Sequence, residues 1–181
     1  EAHPNMPVVA LDLPGNGLLY RQPSPTSVLG MVEAYRAQLV SLGLQAPYRI
    51  VAVSMGAMAA AAWSHRYPHE VERQVLINTS MRPFSPFYQR LQPRNYPWLL
   101  RLMAVPATPW QWENAVLQMT TRLPHPEVLP YWQWLRAQCP VSRTNALRQL
   151  WAAARYRANV DCPVAPTLVL ASARDALVSA D

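Results

Sequence analysis

Residues 48–57 read Tyr-Arg-Ile-Val-Ala-Val-Ser-Met-Gly-Ala, and this stretch decides the fold. Its first six residues form a short apolar run rich in β-branched side chains, which predicts a buried strand. An alanine-rich stretch follows at 55–65 and stops before Pro68, so it predicts a helix. Ser54 therefore lies at a sharp junction where a strand turns directly into a helix.

Strand and helix patterns also alternate along the rest of the chain. An apolar run at 7–11 predicts a strand, and apolar residues recur at helical spacing within 26–43. Two further apolar runs, at 74–79 and 167–172, are typical of strands that are covered on both faces. Alternating strands and helices indicate a parallel sheet, so the sequence predicts an α/β fold with three layers, helix on sheet on helix.

The interval between the last two predicted strands, 80–165, is far longer than a crossover connection needs. Six of the seven tryptophans lie in it. Apolar periodicity predicts helices near 88–103, 110–122, 126–138 and 142–156. We therefore expect a helical cap inserted into the α/β core. The chain divides into a first core part at 1–80, the cap at 81–157 and a last core part at 158–181.

The positive charge of the chain is concentrated in the predicted cap. The protein has 16 arginines, no lysine and 10 acidic residues, which gives a net charge of +6. Residues 82–157 hold ten of the arginines and, as acids, only Glu113 and Glu127. This segment therefore carries +8 and the rest of the chain −2.

Composition excludes several protein classes. With 51% hydrophobic and 14% charged residues the chain is not disordered, and no long uncharged apolar run predicts a membrane span. Cys139 and Cys162 are too few for a disulfide scaffold and lack the paired spacing of a zinc site. The sequence contains no recognisable targeting leader. These features predict a cytoplasmic globular protein with no metal, no organic cofactor and no membrane contact.

Ser54 is the strongest candidate for chemistry. A serine hydroxyl attacks a carbonyl carbon when a base removes its proton and hydrogen-bond donors receive the oxyanion. At a tight strand-to-helix junction its side chain projects beyond the sheet, and the Met55 N–H at the helix N-terminus is a natural oxyanion donor. Small residues at 52 and 56 meet the need for close approach of strand and helix backbones. The alternative is a helix N-cap, whose hydroxyl serves only the backbone.

This junction resembles the nucleophile elbow of the α/β-hydrolase superfamily, and the resemblance extends over most of the chain. Residues 12–17, Asp-Leu-Pro-Gly-Asn-Gly, look like the turn that follows the strand preceding the elbow strand. Residues 75–80 look like the next strand of the family, and 162–170 look like the late strand that presents the catalytic acid. The resemblance implies a partial three-layer hydrolase core with a helical cap.

Asp175 occupies the position of the acid in this resemblance. Its role would be to hold a histidine in the correct tautomer and to stabilise the imidazolium that forms. The alternative is a solvated turn residue. Two residues depart from the usual pattern of the family, since Asn16 stands where histidine is more usual and Ala52 where glycine is more usual. The departure at Ala52 makes the elbow motif less specific.

The general base that the resemblance requires, a histidine well beyond the acid, is not in this sequence. His65 lies eleven residues along the predicted helix from Ser54, about 16 Å away. His3, His69 and His125 are also poorly placed, and all four read as surface or cap residues. The upstream glycine-containing loop that gives the family its second oxyanion donor is missing as well. We therefore expect this chain to be an internal piece of a longer hydrolase, inactive by itself.

Two binding functions compete with catalysis on sequence grounds. Residues 15–17 form a Gly-x-Gly after a predicted strand, as in dinucleotide sites, but Tyr20 stands where the third glycine belongs. Pro23 and Pro25 also prevent a helix from opening there. Arginines beside tryptophans can bind single-stranded nucleic acid, but at helical spacing they usually pack or face solvent. We expect neither a dinucleotide nor a nucleic acid.

The resemblance implies a serine hydrolase, most similar to carboxylesterases, that cleaves an ester or related acyl bond through an acyl-enzyme. The substrate would be a small-molecule ester or acyl compound, either free or linked to a carrier. Some capped carboxylesterases of the superfamily bind acidic acyl-carrier proteins through cap arginines. The corresponding candidates here are Arg82, Arg90, Arg94, Arg101, Arg143, Arg148, Arg155 and Arg157. The alternative is a hydrolase-like module that binds or regulates without catalysis.

Overall fold

The sheet consists of three parallel strands in the order β1 (Tyr48–Val53), β2 (Val71–Ile77) and β3 (Thr167–Leu170). The structure is a computed structural model. It describes residues 7–105, 107–121, 126–161, 163–173, 175 and 177. The parallel sheet confirms the α/β class that the sequence predicts.

Two helices flank the first strand, and the remaining helices lie between β2 and β3. Helix α1 (Val28–Ser41) precedes β1, and α2 (Met55–Arg66) follows it after the single residue Ser54. The helices of the insertion are α3 (Phe87–Arg90), α4 (Tyr96–Ala104), α5 (Pro109–Thr120), α6 (Leu129–Gln138) and α7 (Arg143–Arg155). They confirm that this interval is helical, but the single helix predicted at 88–103 is divided into α3 and α4, because Pro93 keeps Gln92 in an extended conformation. None of the helices in the described ranges is long and apolar enough to cross a membrane.

Helices α1 and α2 cover one face of the sheet. Side chains alternate between the two faces of a strand, so Ile50 and Ala52 of β1 share a face with Leu76 of β2. These three contact the buried cluster formed with the helices, in which Val32 of α1 and Ala57 of α2 are completely shielded from solvent. The described residues thus form the sheet and one helical layer of the predicted three-layer core.

The opposite face of the sheet is apolar and exposed. Val51 of β1 lies in register with Val75, which lies in register with Leu168 of β3. Val51 is 72% and Leu168 54% exposed. The sequence predicted that the strands at 74–79 and 167–172 are covered on both faces, and this is wrong for the described structure. Apolar composition indicates that a strand can be buried on both faces. It does not specify which element covers each face, because that depends on the whole fold.

The strand predicted at 7–11 does not form. These residues adopt no regular structure, and Val8 is 90% exposed. A strand exists only where a neighbouring strand accepts and donates its backbone hydrogen bonds, and none of the described strands pairs with this segment. The following turn is nevertheless well ordered, because the Gly15 N–H donates to the Leu19 carbonyl at 2.9 Å and the Leu18 N–H donates to the Asp12 carboxylate at 2.9 Å.

The two ends of the insertion meet at the surface of the core. Arg82 and Arg157 form a parallel β-bridge, and the Ala158 N–H donates to the Arg82 carbonyl at 2.7 Å. This bridge lies near the limits of the predicted cap at 81–157. The division of the chain into two core parts and a cap domain stays a prediction.

Helix α7 joins the insertion to the core through a buried polar cluster around Ser24. The Ser24 side chain is fully buried, and its hydroxyl donates to the Pro14 carbonyl at 2.7 Å while accepting from the Gln149 side chain at 2.9 Å. The Ser24 N–H donates to Asn145 Oδ1 at 2.9 Å. Ala152, one turn further along α7, is 1% exposed. Helix α7 is therefore fixed to the core by polar and apolar contacts together.

Candidate active site

Ser54 has a strained backbone that local hydrogen bonds hold in place. Its φ of 52° and ψ of −117° lie in a region that a residue with a β-carbon rarely occupies. The Ser54 N–H donates to the Ile77 carbonyl of β2 at 2.9 Å, and the Ser54 carbonyl accepts from the Ala57 N–H at 3.0 Å. It also accepts from the Thr79 hydroxyl at 3.1 Å. The chain therefore leaves the strand and enters α2 at a single residue.

The Ser54 hydroxyl does not cap α2. Ser27 and Ser142 precede α1 and α7 with extended backbones, and the hydroxyl of each accepts a hydrogen bond from the third residue of its helix at 3.1 Å. Ser54 has the opposite sign of φ, which turns its side chain away from the first turn of α2, and it makes no such bond. The side chain is half-buried. The alternative of a simple N-cap serine is therefore wrong.

The space around the elbow accommodates the small residues at 52 and 56. A β-carbon placed on Gly56 would lie 3.9 Å from the Ala52 β-carbon, which is an ordinary van der Waals distance. A small residue therefore fits at 56, and the site also has room for a single methyl group. The α2 N-terminus still carries Met55 as its first residue, directly after Ser54. The role of the Met55 N–H as an oxyanion donor stays a prediction.

Asp175 lies in the loop that follows β3, which we call the acid loop (residues 171–177). The Asp175 N–H donates to the Ser172 carbonyl at 3.2 Å, and its carboxylate Oδ1 accepts from the Leu177 N–H at 2.7 Å. Because all three strands are parallel, the residues after β1 and after β3 lie at the same edge of the sheet. The fold therefore brings Ser54 and the acid loop to one edge.

The order of the strands leaves space for a bridging group between the ends of β1 and β3. Strands β1 and β3 are separated by β2, so their ends are about 10 Å apart at the usual strand spacing. Two hydrogen bonds and an imidazole ring between them span about 8 Å. An imidazole between the ends of β1 and β3 is therefore compatible with the strand order.

The described residues do not place a histidine in that space. His65 lies in the last turn of α2, exposed, and contacts the Asn159 side chain at 3.0 Å. His69 is exposed in the short 3-10 helix that follows. His3 and His125 lie outside the described residues. The described part of the chain also contains no group of three or more His, Cys, Asp or Glu side chains that could hold a metal ion.

Two residues that the sequence analysis missed hold the acid loop. Asn78 directly follows β2 with a φ of 45°, and its side chain accepts from the Ser172 N–H at 2.8 Å and donates to the Ser172 hydroxyl at 3.1 Å. Gln92 of the insertion donates from its side chain to the Asp175 carbonyl at 2.9 Å. A polar residue at the end of an apolar run could have pointed to Asn78. No local signal points to Gln92.

The insertion contains a cavity of about 290 Å³ between α4 and α5. The side chains that line it combine one cation and two amides with apolar groups. They are Arg94, Asn95, Trp98, Ala115, Gln118 and Met119. Such a lining can hold an apolar group and orient it with a few polar contacts.

The arginines of the insertion fall into two groups. Arg90 donates to the Ala153 and Ala154 carbonyls of α7, and Arg148 donates to the Ser24 carbonyl, so these two are used within the fold. Burial lowers the pKa of the Arg90 guanidinium. The remaining predicted partner-binding arginines are exposed. They are Arg82, Arg94, Arg101, Arg143, Arg155 and Arg157.

The sequence and the structure were also compared with those of known proteins. The sequence model of the alpha/beta hydrolase family matches residues 1–181. A search of curated proteins finds no match. Among solved structures, BpoC from Mycobacterium tuberculosis, described as a candidate non-heme bromoperoxidase, is 27% identical with a TM-score of 0.62 over 90% of this chain and 61% of its own.

Two more distant structures share the fold. A hydrolase from Pseudomonas aeruginosa is 20% identical with a TM-score of 0.65, over 93% of this chain and 62% of its own. A thermophilic esterase from Thermogutta terrifontis is 21% identical with a TM-score of 0.60, over 87% of this chain and 58% of its own. The chain thus spans about 60% of the length of these similar structures.

Proposed function

Since this chain belongs to the alpha/beta hydrolase family, we propose that it supplies the nucleophile and the acid of a serine hydrolase. The enzyme would cleave an ester or related acyl bond, as a carboxylesterase does. Ser54 is the nucleophile, the Met55 N–H is an oxyanion donor, and Asp175 is the acid. The general base is a histidine from a part of the protein beyond this chain.

The reaction proceeds through a covalent acyl-enzyme. The base removes the Ser54 proton while Ser54 Oγ bonds to the carbonyl carbon of the substrate, and the carbonyl oxygen becomes an oxyanion that the Met55 N–H receives. The C–O bond to the leaving group then breaks, and the base returns its proton to the departing alcohol. Water then attacks the acyl-enzyme by the same steps, which releases the carboxylic acid product and regenerates the Ser54 hydroxyl. Asp175 orients the base and stabilises its positive charge.

The observation that carries this proposal is the strained backbone of Ser54 together with its hydroxyl, which does not cap the helix. Its backbone is held at a φ that costs about 1–3 kcal/mol. In this strained conformation the Ser54 hydroxyl does not cap α2, whereas the hydroxyls of Ser27 and Ser142 cap α1 and α7. A hydroxyl held away from the backbone at the edge that also carries Asp175 is typical of a nucleophile.

The insertion supports an apolar acyl group as the part of the substrate that is recognised. Its cavity is lined by Trp98 and Met119 beside Asn95 and Gln118. Clefts of this kind bind mainly through apolar contacts, with a few polar groups for orientation. We expect medium-length acyl esters to be turned over faster than acetyl esters.

The charge of the insertion supports a carrier-linked form of that substrate. Its exposed arginines, Arg101 and Arg143 among them, would attract an acidic carrier protein and raise the rate of encounter. Arg90 and Arg148 are excluded from this role because the fold uses their guanidinium groups. If the substrate is carrier-linked, kcat/KM for it falls as salt rises, while kcat/KM for the free ester stays constant. An equal response of both substrates to salt would contradict carrier binding.

Labelling with a fluorophosphonate tests the proposed reaction. The probe reacts with the full-length protein at Ser54, and Ser54→Ala abolishes both labelling and ester hydrolysis. Ser142→Ala is the matched control, because it removes a hydroxyl that caps α7 and leaves the elbow intact. A full-length protein that folds but neither labels nor hydrolyses any ester would favour the non-catalytic binding module instead.

A further inference from the structure

Gln92, in the insertion, contacts the acid loop at two points. Its side-chain amide donates to the Asp175 carbonyl at 2.9 Å, and its backbone N–H donates to the Leu177 carbonyl at 2.9 Å. The two contacts therefore hold the residue that carries the candidate acid and the residue two positions after it. They span 83 and 85 residues of sequence, so they fix the loop relative to a distant element.

The described residues of the acid loop lie outside any strand or helix, so contacts with other elements help to hold them in place. Strand β3 is only four residues long and ends at Leu170, and its last three residues are exposed. Within the loop, the Asp175 N–H donates to the Ser172 carbonyl, and the Asp175 carboxylate accepts from the Leu177 N–H. These bonds shape a local turn but do not join the turn to the core. Asn78 makes that connection on one side and Gln92 on the other.

Gln92 is also joined directly to the wall of the cavity in the insertion. It precedes the short 3-10 helix Pro93–Asn95, which leads into α4. Pro93 restricts Gln92 to an extended backbone, observed at φ −61° and ψ 132°. Arg94 and Asn95 of that 3-10 helix line the cavity. Gln92 lies only two or three residues before these wall residues, so a shift of the cavity wall also moves Gln92.

We propose that Gln92 is a positioning residue that makes the placement of Asp175 depend on the seating of the insertion. This inference rests on the proposed function, since it concerns the acid of that reaction. With the insertion seated, both Gln92 donors hold the acid loop where Asp175 can orient the base. With the insertion displaced, the loop loses these contacts and the acid moves away from the base.

Two substitutions in the full-length protein remove the side-chain contact by different means. Gln92→Glu keeps the shape of the side chain but cannot donate to the Asp175 carbonyl, and Gln92→Met removes the donor without adding charge. A misplacement of about 1 Å in a catalytic group costs up to about 100-fold in rate. We therefore expect kcat to fall about 10- to 100-fold in both variants, with KM changed less than about threefold, because Gln92 does not touch the substrate.

Gln149→Glu provides the matched control. It makes the same chemical change in the same insertion, where the amide donates to the Ser24 hydroxyl instead of the acid loop. We expect it to lower the melting temperature as much as Gln92→Glu does and to leave kcat within about twofold of the wild type. If kcat falls in proportion to melting temperature in all three variants, Gln92 is merely structural and the inference is wrong.

The outcomes for Gln92 and for the proposed function are separable. If the wild type labels at Ser54 and both Gln92 variants keep wild-type kcat, the positioning role is wrong and the serine hydrolase stands. If the wild type itself does not label, both are wrong. If Gln92→Met is normal and only Gln92→Glu is impaired, the added charge is the cause and the positioning role is again wrong.

Discussion

Ser54 and Asp175 lie at the same edge of the sheet but are held in different ways. Ser54 connects a strand directly to a helix, and its backbone is fixed by the Ile77 carbonyl and the Ala57 N–H, next to fully buried residues of α2. Asp175 lies in a loop that is tied to distant elements by the side chains of Asn78 and Gln92 and by the Gln92 backbone N–H. The proposed nucleophile is held by adjacent main chain, and the proposed acid is held largely by side chains of distant residues.

This difference predicts where the site is sensitive to change. Main-chain contacts survive most substitutions, so the geometry of Ser54 should tolerate changes around it. A side-chain contact disappears with its residue, so the acid loop should respond to single substitutions well outside the site. The predictions below compare the two halves, beginning with the acid itself.

Asp175→Asn in the full-length protein should give the largest effect. Asparagine can still accept the Leu177 N–H, so the turn is retained and the melting temperature changes little. It cannot stabilise a protonated base, and in a serine triad that loss costs about 10⁴-fold in kcat. Steady-state kinetics and thermal melting measure the two quantities. Hydrolysis within about tenfold of the wild-type rate would mean that Asp175 is not the acid.

Asn78→Gly compared with Thr79→Val tests the difference between the halves directly. Glycine adopts the φ of 45° without strain but loses both hydrogen bonds to Ser172, so the acid loop loosens. Valine at 79 loses the hydroxyl bond to the Ser54 carbonyl, but the main-chain bonds of Ser54 remain. We expect kcat to fall about tenfold in the first variant and less than about threefold in the second. The reverse order would show that the nucleophile is the loosely held partner.

The same distinction decides what the sequence could reveal. The strand, the elbow and α2 around Ser54 were predicted correctly because the apolar run and the alanine-rich helix are adjacent in sequence. The contacts of Asn78 and Gln92 could not be predicted, because their partners lie 94 and 83 residues away. The predicted strand at 7–11 was wrong for a related reason, since a strand requires a pairing partner that its own composition does not specify.

The insertion shows what sequence alone cannot predict about charged residues. Its helices follow from periodicity, and its net charge follows from composition. Composition cannot predict which arginines are used within the fold. Arg90 and Arg148 donate to backbone carbonyls, whereas Arg101 and Arg143 face solvent. Only the packing of α7 against the core separates these two groups.

The half of the molecule that holds Ser54 should also lose stability at acid pH. Glu70 accepts from Arg36 of α1 at 2.7 Å and from the Trp63 indole of α2 at 2.8 Å, and so joins the two helices. The Arg36 hydrogen bond lowers the pKa of the Glu70 carboxyl below its usual value of 4.5. A lowered folded-state pKa stabilises the fold above pH 4.5, and this contribution disappears as the pH falls through the folded value.

Glu70→Gln removes this contribution and therefore its pH dependence. Urea unfolding at pH 7 should show a loss of about 1 kcal/mol relative to wild type, and the difference should shrink as the pH is lowered below 4.5. Ester hydrolysis at pH 7 should be unchanged, because neither Arg36 nor Glu70 contacts the acid loop in the described structure. A destabilisation that is constant with pH would mean that the ion pair does not contribute.

Gly56→Ala should produce the smallest effect and is the strictest test of how firmly main chain holds Ser54. The new β-carbon meets the Ala52 β-carbon at 3.9 Å, so neither strand nor helix has to move. Alanine also restricts the unfolded chain and favours helix, which stabilises an interior helical position by about 0.5–1 kcal/mol, and somewhat less here in the first turn. We therefore expect a melting temperature equal to or slightly above that of the wild type, with kcat within about twofold. Gly56→Val at the same site adds two methyl groups that must enter the space beside Ala52, so it serves as the paired variant in which kcat should fall. If Gly56→Ala already lowers kcat tenfold while the protein stays folded, the elbow is as sensitive as the acid loop, and the distinction between the two halves of the site is wrong.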